Sequence, residues 1–181
     1  MVRELSTFAR LLIENDYRIN TLKHESLNKS KAKTGVREFA EIKLRLSCLS
    51  KEELGLLAES DFSNQKLIAY LSCCRVYAYL RDFVTEVMME KVALYDYQLT
   101  DRDYIAFFNR KCIDHLELEV LADSTKAKIK QVIFKILQQS GLIDGVQSKN
   151  IVIQIVDAQV LNVIKKTNPN DLALLLMQKH V

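Results

Sequence analysis

Residues 123–144 read DSTKAKIKQVIFKILQQSGLID, and this stretch predicts a basic helix with defined ends. Asp123 or Ser124 can accept a hydrogen bond from the first-turn N–H groups, and Gly141 can adopt the left-handed conformation that ends a helix. Apolar residues recur at helical spacing on one face, so that face is expected to pack and the opposite face to meet solvent. No acid lies between Ser124 and Ile143, where the bases are Lys126, Lys128, Lys130 and Lys135.

A short hairpin is predicted directly after this helix. Leu142 and Ile143 form an apolar pair, Asp144 and Gly145 give a turn signal, and IVIQIV at 151–156 is typical of a strand. A basic helix followed by a hairpin is the order of elements in a winged helix-turn-helix. The alternative is a bundle helix whose lysines only face solvent.

The composition predicts a mainly α, helical-bundle fold. The 181 residues are 49% hydrophobic and 27% charged, as in ordinary globular proteins, and include only four glycines and one proline. Sparse glycine and proline favour long helices over a sheet with many tight turns. No segment reaches the roughly 20 apolar residues of a membrane span, and Arg10 and Glu14 interrupt any signal-peptide core, so we expect a cytoplasmic protein without membrane contact.

Motifs for catalysis and metal binding are absent from the sequence. The four cysteines lack C-x-x-C spacing and are expected to be structural thiols, and the three histidines show no metal-ligand spacing. Neither a phosphate loop nor a nucleophile beside a base can be recognised. We therefore expect no metal, no cofactor and no enzymatic activity.

Positive charge is also concentrated near the N-terminus. Between Tyr17 and Ser47 eight bases stand against three acids, although the whole chain has a net charge of only +3. Helical patterns and a polar turn in this region predict a helix-turn-helix-like subdomain over residues 1–50. Its expected elements are helices over 4–15, 17–27 and 31–49 with the turn at 28–30. The basic residues of this subdomain that are candidates for contacting DNA are Lys29, Lys31, Lys33, Arg37 and Arg45.

Residues 51–181 are predicted to form a helical core with a winged-helix-like C-terminal part. Ser50 and Glu53 have the spacing of a capping box. A mostly apolar run from 66 to 94 predicts one long central helix. Further helices are expected over 101–115, from Asp157, and after Pro169.

Two central segments resemble a known family. YAYLRDFVTEVMMEKVALYDYQLTDRDYIAFFNRKCIDH and DSTKAKIKQVIFKILQQSGLID resemble the BrxA family of the bacterial BREX (bacteriophage exclusion) defence systems. The matching features are the long core helix running into L-R-D-F, the T-D-R-D-Y helix start, and the S-T-K-x-K helix with its G-L-I-D stop. The similarity covers roughly residues 65–145, and elsewhere only the helical pattern agrees.

The resemblance implies a small, mostly helical, cytoplasmic and non-enzymatic protein. Its fold would be similar to the antitermination factor NusB, with helix-turn-helix character. It would bind double-stranded DNA and act beside a methyltransferase, an alkaline-phosphatase-like protein and a large ATPase in phage restriction.

Two functional hypotheses follow from the residues and the resemblance together. The first is a non-catalytic DNA-binding component that contacts mainly phosphates, with little sequence specificity and an affinity that falls as salt rises. Only Gln131 and Gln138 on the exposed side of the lysine helix could read base edges. The second is an all-α adaptor that meets an acidic partner protein without touching DNA. The contacts expected from the lysine helix are Ser124, Thr125, Lys126, Lys128, Lys130, Gln131 and Lys135.

Overall fold

The computed structural model describes residues 1–23 and 32–177, and helices are the regular structure of these ranges. The mainly α fold class expected from the composition is confirmed. The helices are α1 (Val2–Glu14), α2 (Ala32–Ser47), α3 (Lys51–Glu59), α4 (Phe62–Val76), α5 (Ala78–Phe83), α6 (Met89–Ala93), α7 (Asp101–Asp114), α8 (Leu116–Glu119), α9 (Asp123–Ser140) and α10 (Ala158–Thr167). Three further elements are 3-10 helices at Ile19–Thr21 and Pro169–Leu175 and a π-helical segment at Val84–Met88.

The chain folds into two compact units. Among the described residues, the first unit contains 1–23, 32–77 and Val156–Asp171, and the second contains Ala78–Ile155 and 172–177. The subdivision at residue 50 that the sequence suggested stays a prediction.

The core of the first unit is built around α1. Its residues Leu5, Phe8 and Leu12 are buried and recur at helical spacing, so one face of α1 packs on α2, α3 and α4. Ile42 and Leu46 complete the apolar contact from α2. Helix α10 packs on α3, which brings a late part of the chain back to its first helices.

A buried ionic network stabilises this unit. Arg75 of α4 contacts Glu53 of α3 at 2.5 Å and Asp171 at 2.7 Å. Glu53 also accepts a hydrogen bond from the Ser50 backbone N–H at 2.8 Å, and the Ser50 side chain accepts from the Glu53 N–H, which confirms the predicted capping box. Thr167 at the end of α10 donates to Glu53 at 3.1 Å. Because Arg75 holds two carboxylates that are themselves hydrogen-bonded, the buried charges are compensated.

The second unit has an aromatic core, the aromatic cluster. Its rings lie with centroids 5.0–6.0 Å apart in tilted and edge-to-face arrangements, which aromatic quadrupoles favour. Phe83 is fully buried and contacts three of the other rings. The cluster joins α5, α7 and α9. Its members are Tyr79, Phe83, Tyr104, Phe107 and Phe134.

The prediction of one helix over 66–94 is wrong. The helix is interrupted at Tyr77, whose extended backbone (φ −108°, ψ 92°) separates α4 from α5 at the boundary of the two units. The apolar run supplies two separate cores, so hydrophobicity alone does not reveal the break. A second irregularity follows at Val84–Met88, where Thr85 donates its hydroxyl to the Arg81 carbonyl at 3.1 Å and competes with the regular backbone bond.

Two helix starts also differ from expectation. The helix predicted over 17–27 is only a 3-10 turn at Ile19–Thr21 in its described part, because Asp16 and Tyr17 adopt positive φ values that end α1. At α9 the cap position is taken by Ala122, and the side chains of Asp123 and Ser124 make no capping bond. The predicted end is confirmed, since Gly141 has a φ of 86°.

The strand predicted at 151–156 is wrong within the described residues. Antiparallel bridges join Ile143 to Ile151 and Gln98 to Asn150, so three short extended segments meet without forming a ladder. The pairing stops because Gly141 ends α9 and Asp144 starts the turn, which leaves only two residues to pair. Beyond Val152 the Gln154 side-chain amide, not a backbone N–H, donates to the Gly141 carbonyl.

Candidate nucleic-acid interface

The solvent-facing side of α9 carries much of the predicted site. Ser124, Thr125, Lys128, Gln131 and Lys135 are all exposed. Lys128 donates to the side-chain oxygen of Gln131 at 2.9 Å, and Lys135 donates in the same way to Gln138 at 2.9 Å. With a rise of 1.5 Å per residue, the two lysine Cα atoms lie about 10.5 Å apart along the helix. We call the five exposed residues Ser124, Thr125, Lys128, Gln131 and Lys135 the outer face of α9.

Lys126 and Lys130 do not belong to this outer face. The Lys126 ammonium lies 5.8 Å from the Phe108 ring centroid of α7 and donates to the Glu119 carbonyl at 2.9 Å. Lys130 lies 5.8 Å from the Tyr104 ring centroid and is only 30% exposed. The four lysines expected to act as one group are therefore divided between the outer face and the side of α9 that packs on α7.

A carboxylate bridges two of the basic residues beside α9. Asp101, in the first turn of α7, lies with its Oδ1 atom 3.0 Å from the Lys130 ammonium and 3.0 Å from the Lys149 ammonium. Hydrogen bonds from Lys130 and then Lys149 lower the pKa of Asp101, so its side chain is a charged carboxylate at neutral pH. Lys149 was not among the predicted contacts, because the sequence around it does not indicate that the turn after α9 approaches the start of α7.

Hydrogen bonds to Asp144 brace the turn that carries Lys149. Asp144 accepts hydrogen bonds from the Ser148 hydroxyl at 2.6 Å and from the Asn150 backbone and side chain at 2.9 and 2.7 Å. These bonds lower the pKa of Asp144. Lys149 itself has a positive φ of 55°, and its ammonium lies 5.6 Å from the Phe134 ring centroid. The local geometry thus directs Lys149 toward α9 and α7.

The N-terminal candidates divide into three cases. Arg37 is exposed on α2. Lys29 and Lys31 lie outside the described residues, and for Lys33 only the backbone, within α2, is described. The prediction that Arg45 contacts DNA is wrong, because its side chain is buried against α4.

The guanidinium of Arg45 is satisfied inside the first unit. It donates to the Ser72 hydroxyl at 3.2 Å and to the Ala69 carbonyl, and the residue is 8% exposed. Arg37 and Arg45 share a stripe at spacing of eight, but eight residues turn a helix by roughly 80° from exact alignment. Arg45 consequently falls on the side of Ile42 and Leu46 rather than on the exposed side.

Metal-binding clusters and membrane-spanning helices are both absent from the part of the chain that the structure describes. Within 1–23 and 32–177, no group of three His, Cys, Asp or Glu side chains is placed to hold a metal ion. In the same ranges, no helix combines the length and apolar character that crossing a bilayer would need.

The fold and this surface define an all-α protein with a cation-bearing exposed helix followed by a braced turn. The chain belongs to the BrxA family, whose family model matches residues 1–168. It is similar to the BREX protein BrxA of Escherichia coli O9:H4 (strain HS), with 25% identity over 183 aligned positions that cover 99% of this chain and 86% of that protein. It is also similar to the BREX protein BrxA of Bacillus cereus (strain H3081.97), with 27% identity over 77% of this chain and 64% of the relative.

A solved structure shows the same fold. The crystal structure of an uncharacterized protein from Magnetospirillum magneticum superposes with a TM-score of 0.79 over 98% of this chain and 93% of that one. The sequence identity is 15%, so the likeness concerns the fold alone.

Proposed function

We propose that this protein is a non-catalytic component of a BREX phage-defence system and binds double-stranded DNA mainly through its phosphates, with little sequence specificity. Membership of the BrxA family supports the defence role. We further propose that it works in the cytoplasm beside the methyltransferase, phosphatase-like and large ATPase components of such a system. The DNA contact is argued from α9 and its surroundings.

The DNA proposal rests on the exposure of Lys128 and Lys135 and on the contacts that their ammonium groups make. Both are exposed, and the contacts of their ammonium groups are to neutral glutamine oxygens. A phosphate that replaced a glutamine oxygen would gain a charge-assisted bond without breaking an ion pair. Release of condensed counterions from the duplex would add a favourable, salt-dependent term for each lysine engaged.

The order of elements supports a winged-helix-like role for the second unit. The extended residues at Gln98 precede α7, α8 and α9, and the bridged residues Ile143 and Ile151 flank the braced turn after α9. In such motifs the exposed helix enters the major groove and the preceding helix crosses the backbone. We therefore assign α9 as the groove-facing helix and the 145–150 turn as an additional backbone contact.

Low sequence specificity follows from the chemistry of the outer face. Bidentate readout of bases in a fixed geometry relies on the planar side chains of Arg, Asn and Gln, whereas a lysine ammonium is a point charge on a flexible stem. Of the exposed residues here only Gln131 has such a group, and it is engaged by Lys128. Lysine and hydroxyl contacts to phosphates position a protein on DNA without reading its sequence.

Fluorescence anisotropy of labelled 25-base-pair duplexes of unrelated sequence tests this proposal. We expect wild-type affinity to vary little between duplexes and to fall steeply from about 50 to 200 mM salt. Lys128→Ala with Lys135→Ala should reduce the slope of log K against log salt by about 1.8, because two phosphate contacts are lost.

The matched control is Lys165→Ala with Lys166→Ala on α10, which removes the same charge from exposed lysines of the other unit. An equal loss of affinity in the control would show an effect of net charge and not of the outer face. No binding by the wild-type protein at 50 mM salt would refute the proposal.

A protein-adaptor function is the second candidate, and one specific surface favours it. At the end of α7, in α8 and directly after α8, the residues Ile113, Leu116 and Val120 are 77%, 69% and 84% exposed. The neighbouring exposed side chains include Asp114, Glu117 and Glu119. This combination suits a partner with apolar and basic groups, unlike the acidic partner that the lysines of α9 suggested from the sequence.

The two candidates are separated by replacing Leu116 and Val120 with serine. If the protein acts only as an adaptor, this variant loses phage protection in cells while Lys128→Ala with Lys135→Ala keeps it. If DNA binding is the function, protection depends on the two lysines.

A further inference from the structure

We propose that Lys130 and Lys149 form a phosphate-binding subsite whose anion position is occupied by the protein's own Asp101 carboxylate. This inference rests on the proposed DNA function and adds to it a built-in competitor for the DNA backbone. We call the two residues the Lys130–Lys149 pair.

The geometry is that of an anion site. The ammonium groups of two elements, α9 and the turn after it, converge on one oxygen atom, Asp101 Oδ1, at 3.0 Å each. A non-bridging phosphate oxygen is also a charged acceptor of lysine N–H groups at this distance. The carboxylate therefore occupies the place that a backbone phosphate would take.

The two lysines are held in position without the carboxylate. Lys130 lies against the Tyr104 ring and Lys149 against the Phe134 ring, at 5.8 and 5.6 Å from the centroids. Both rings belong to the aromatic cluster, which fixes them. Lysine stems packed along rings keep their ammonium groups at the surface, so the subsite remains formed when Asp101 leaves.

Asp101 can be displaced because it is the exposed partner. Its side chain is 59% exposed, whereas those of Lys130 and Lys149 are 30% and 18% exposed. Ion pairs with so exposed a partner contribute little to stability. As the first residue of α7, Asp101 retains a favourable place at the helix N-terminus after it has turned into solvent.

The consequence is that wild-type DNA affinity is lower than the lysine content allows. Each lysine that engages a phosphate adds about 0.9 to the salt slope, which corresponds to roughly a tenfold gain in affinity near 0.1 M salt. Asp101→Asn should therefore bind duplex DNA at least several-fold more tightly. Its salt slope should be steeper than that of the wild type by up to about 1.8.

The experiment is a set of anisotropy titrations with a 25-base-pair duplex across a salt series. The variants are Asp101→Asn alone, Lys130→Ala with Lys149→Ala, and all three changes together. Asp96→Asn is the matched control, because Asp96 is an exposed acid paired with Lys91 at 2.5 Å and Lys91 retains Asp103 at 3.4 Å. Circular dichroism at 222 nm verifies that each variant is folded.

We expect Asp101→Asn to tighten binding, Asp96→Asn to leave it close to wild type, and the triple variant to lose the gain. An equal gain from Asp101→Asn in the absence of both lysines would overturn the subsite, since Asp101 would then only repel DNA at long range. If the wild-type protein binds DNA and Asp101→Asn binds with the same affinity, the subsite is also overturned, but the DNA proposal stands. Failure of every protein to bind would instead refute the DNA proposal itself.

Discussion

Replacing Glu53 with glutamine should destabilise the first unit strongly, because it removes one charge from the buried network. The Glu53 carboxylate accepts from Arg75 Nη1 and Nη2 at 2.8 and 2.5 Å and is 1% exposed. Removing one partner of a buried ion pair costs about 3–5 kcal/mol. Asp171 still neutralises Arg75, so we take the lower limit of about 3 kcal/mol, a large share of a typical domain stability of about 5–15 kcal/mol.

Urea unfolding followed by circular dichroism at 222 nm measures this loss. With a urea dependence of about 2 kcal/mol/M, a loss of about 3 kcal/mol moves the midpoint down by about 1.5 M. Glu52→Gln is the matched control, because Glu52 lies next to Glu53 on α3 but pairs with Lys166 at the surface, 3.0 Å away. Its unfolding midpoint should coincide with that of the wild type.

The stability difference between the wild type and Glu53→Gln should depend on pH. Burial raises the pKa of Glu53, but hydrogen bonds from Arg75 and the Ser50 N–H outweigh burial, and the net pKa is lowered. A carboxyl with a lowered folded-state pKa stabilises the protein above its unfolded value of about 4.3 and loses that contribution as the pH falls through the folded value. The wild-type advantage over Glu53→Gln should thus be constant near neutrality and shrink below about pH 4. A midpoint shift under about 0.3 M at pH 7 would contradict the network as a source of stability.

Three further predictions concern local features. Gly141→Ala should cost about 1–2 kcal/mol in urea unfolding, because φ is 86° and the new Cβ would lie 3.1 Å from the Gln154 side chain; an unchanged midpoint would contradict this. Phe83→Ala should cost about 3–5 kcal/mol by removing the buried centre of the aromatic cluster, and a loss below about 1 kcal/mol would contradict its role in stabilising the second unit. Burial raises the pKa of Cys74 to about 12, so mass spectrometry should find it unlabelled by iodoacetamide at pH 8 until urea is added; rapid labelling of folded protein would refute its burial.

Local signals in the sequence predicted several features correctly. The Ser50–Glu53 capping box and the Gly141 helix end depend on hydrogen bonds and backbone angles within a few residues, so the pattern contains the needed information. The start of α9 was harder, because Asp123 and Ser124 are equally good caps and Ala122 took the position instead. Cap residues indicate that a helix begins nearby more securely than they indicate its first residue.

Contacts between distant segments could not be predicted from the sequence pattern. Arg45 belongs to a basic stretch, yet helix rotation places it against Ala69 and Ser72, where its charge is buried. Tyr77 interrupts an apolar run that reads as one helix, because the two halves serve different units.

By itself, the sequence determined the mainly α class, the positions of most helices and the concentration of lysines on α9, because propensity, periodicity and capping act over a few residues. Tertiary structure alone decided which charges reach solvent. Packing on α7 separated Lys126 and Lys130 from the outer face, and folding brought Asp101 between Lys130 and Lys149. Exposure and ion pairing depend on which surfaces meet across the chain, and residues far apart in sequence acquire a common environment only when the core forms.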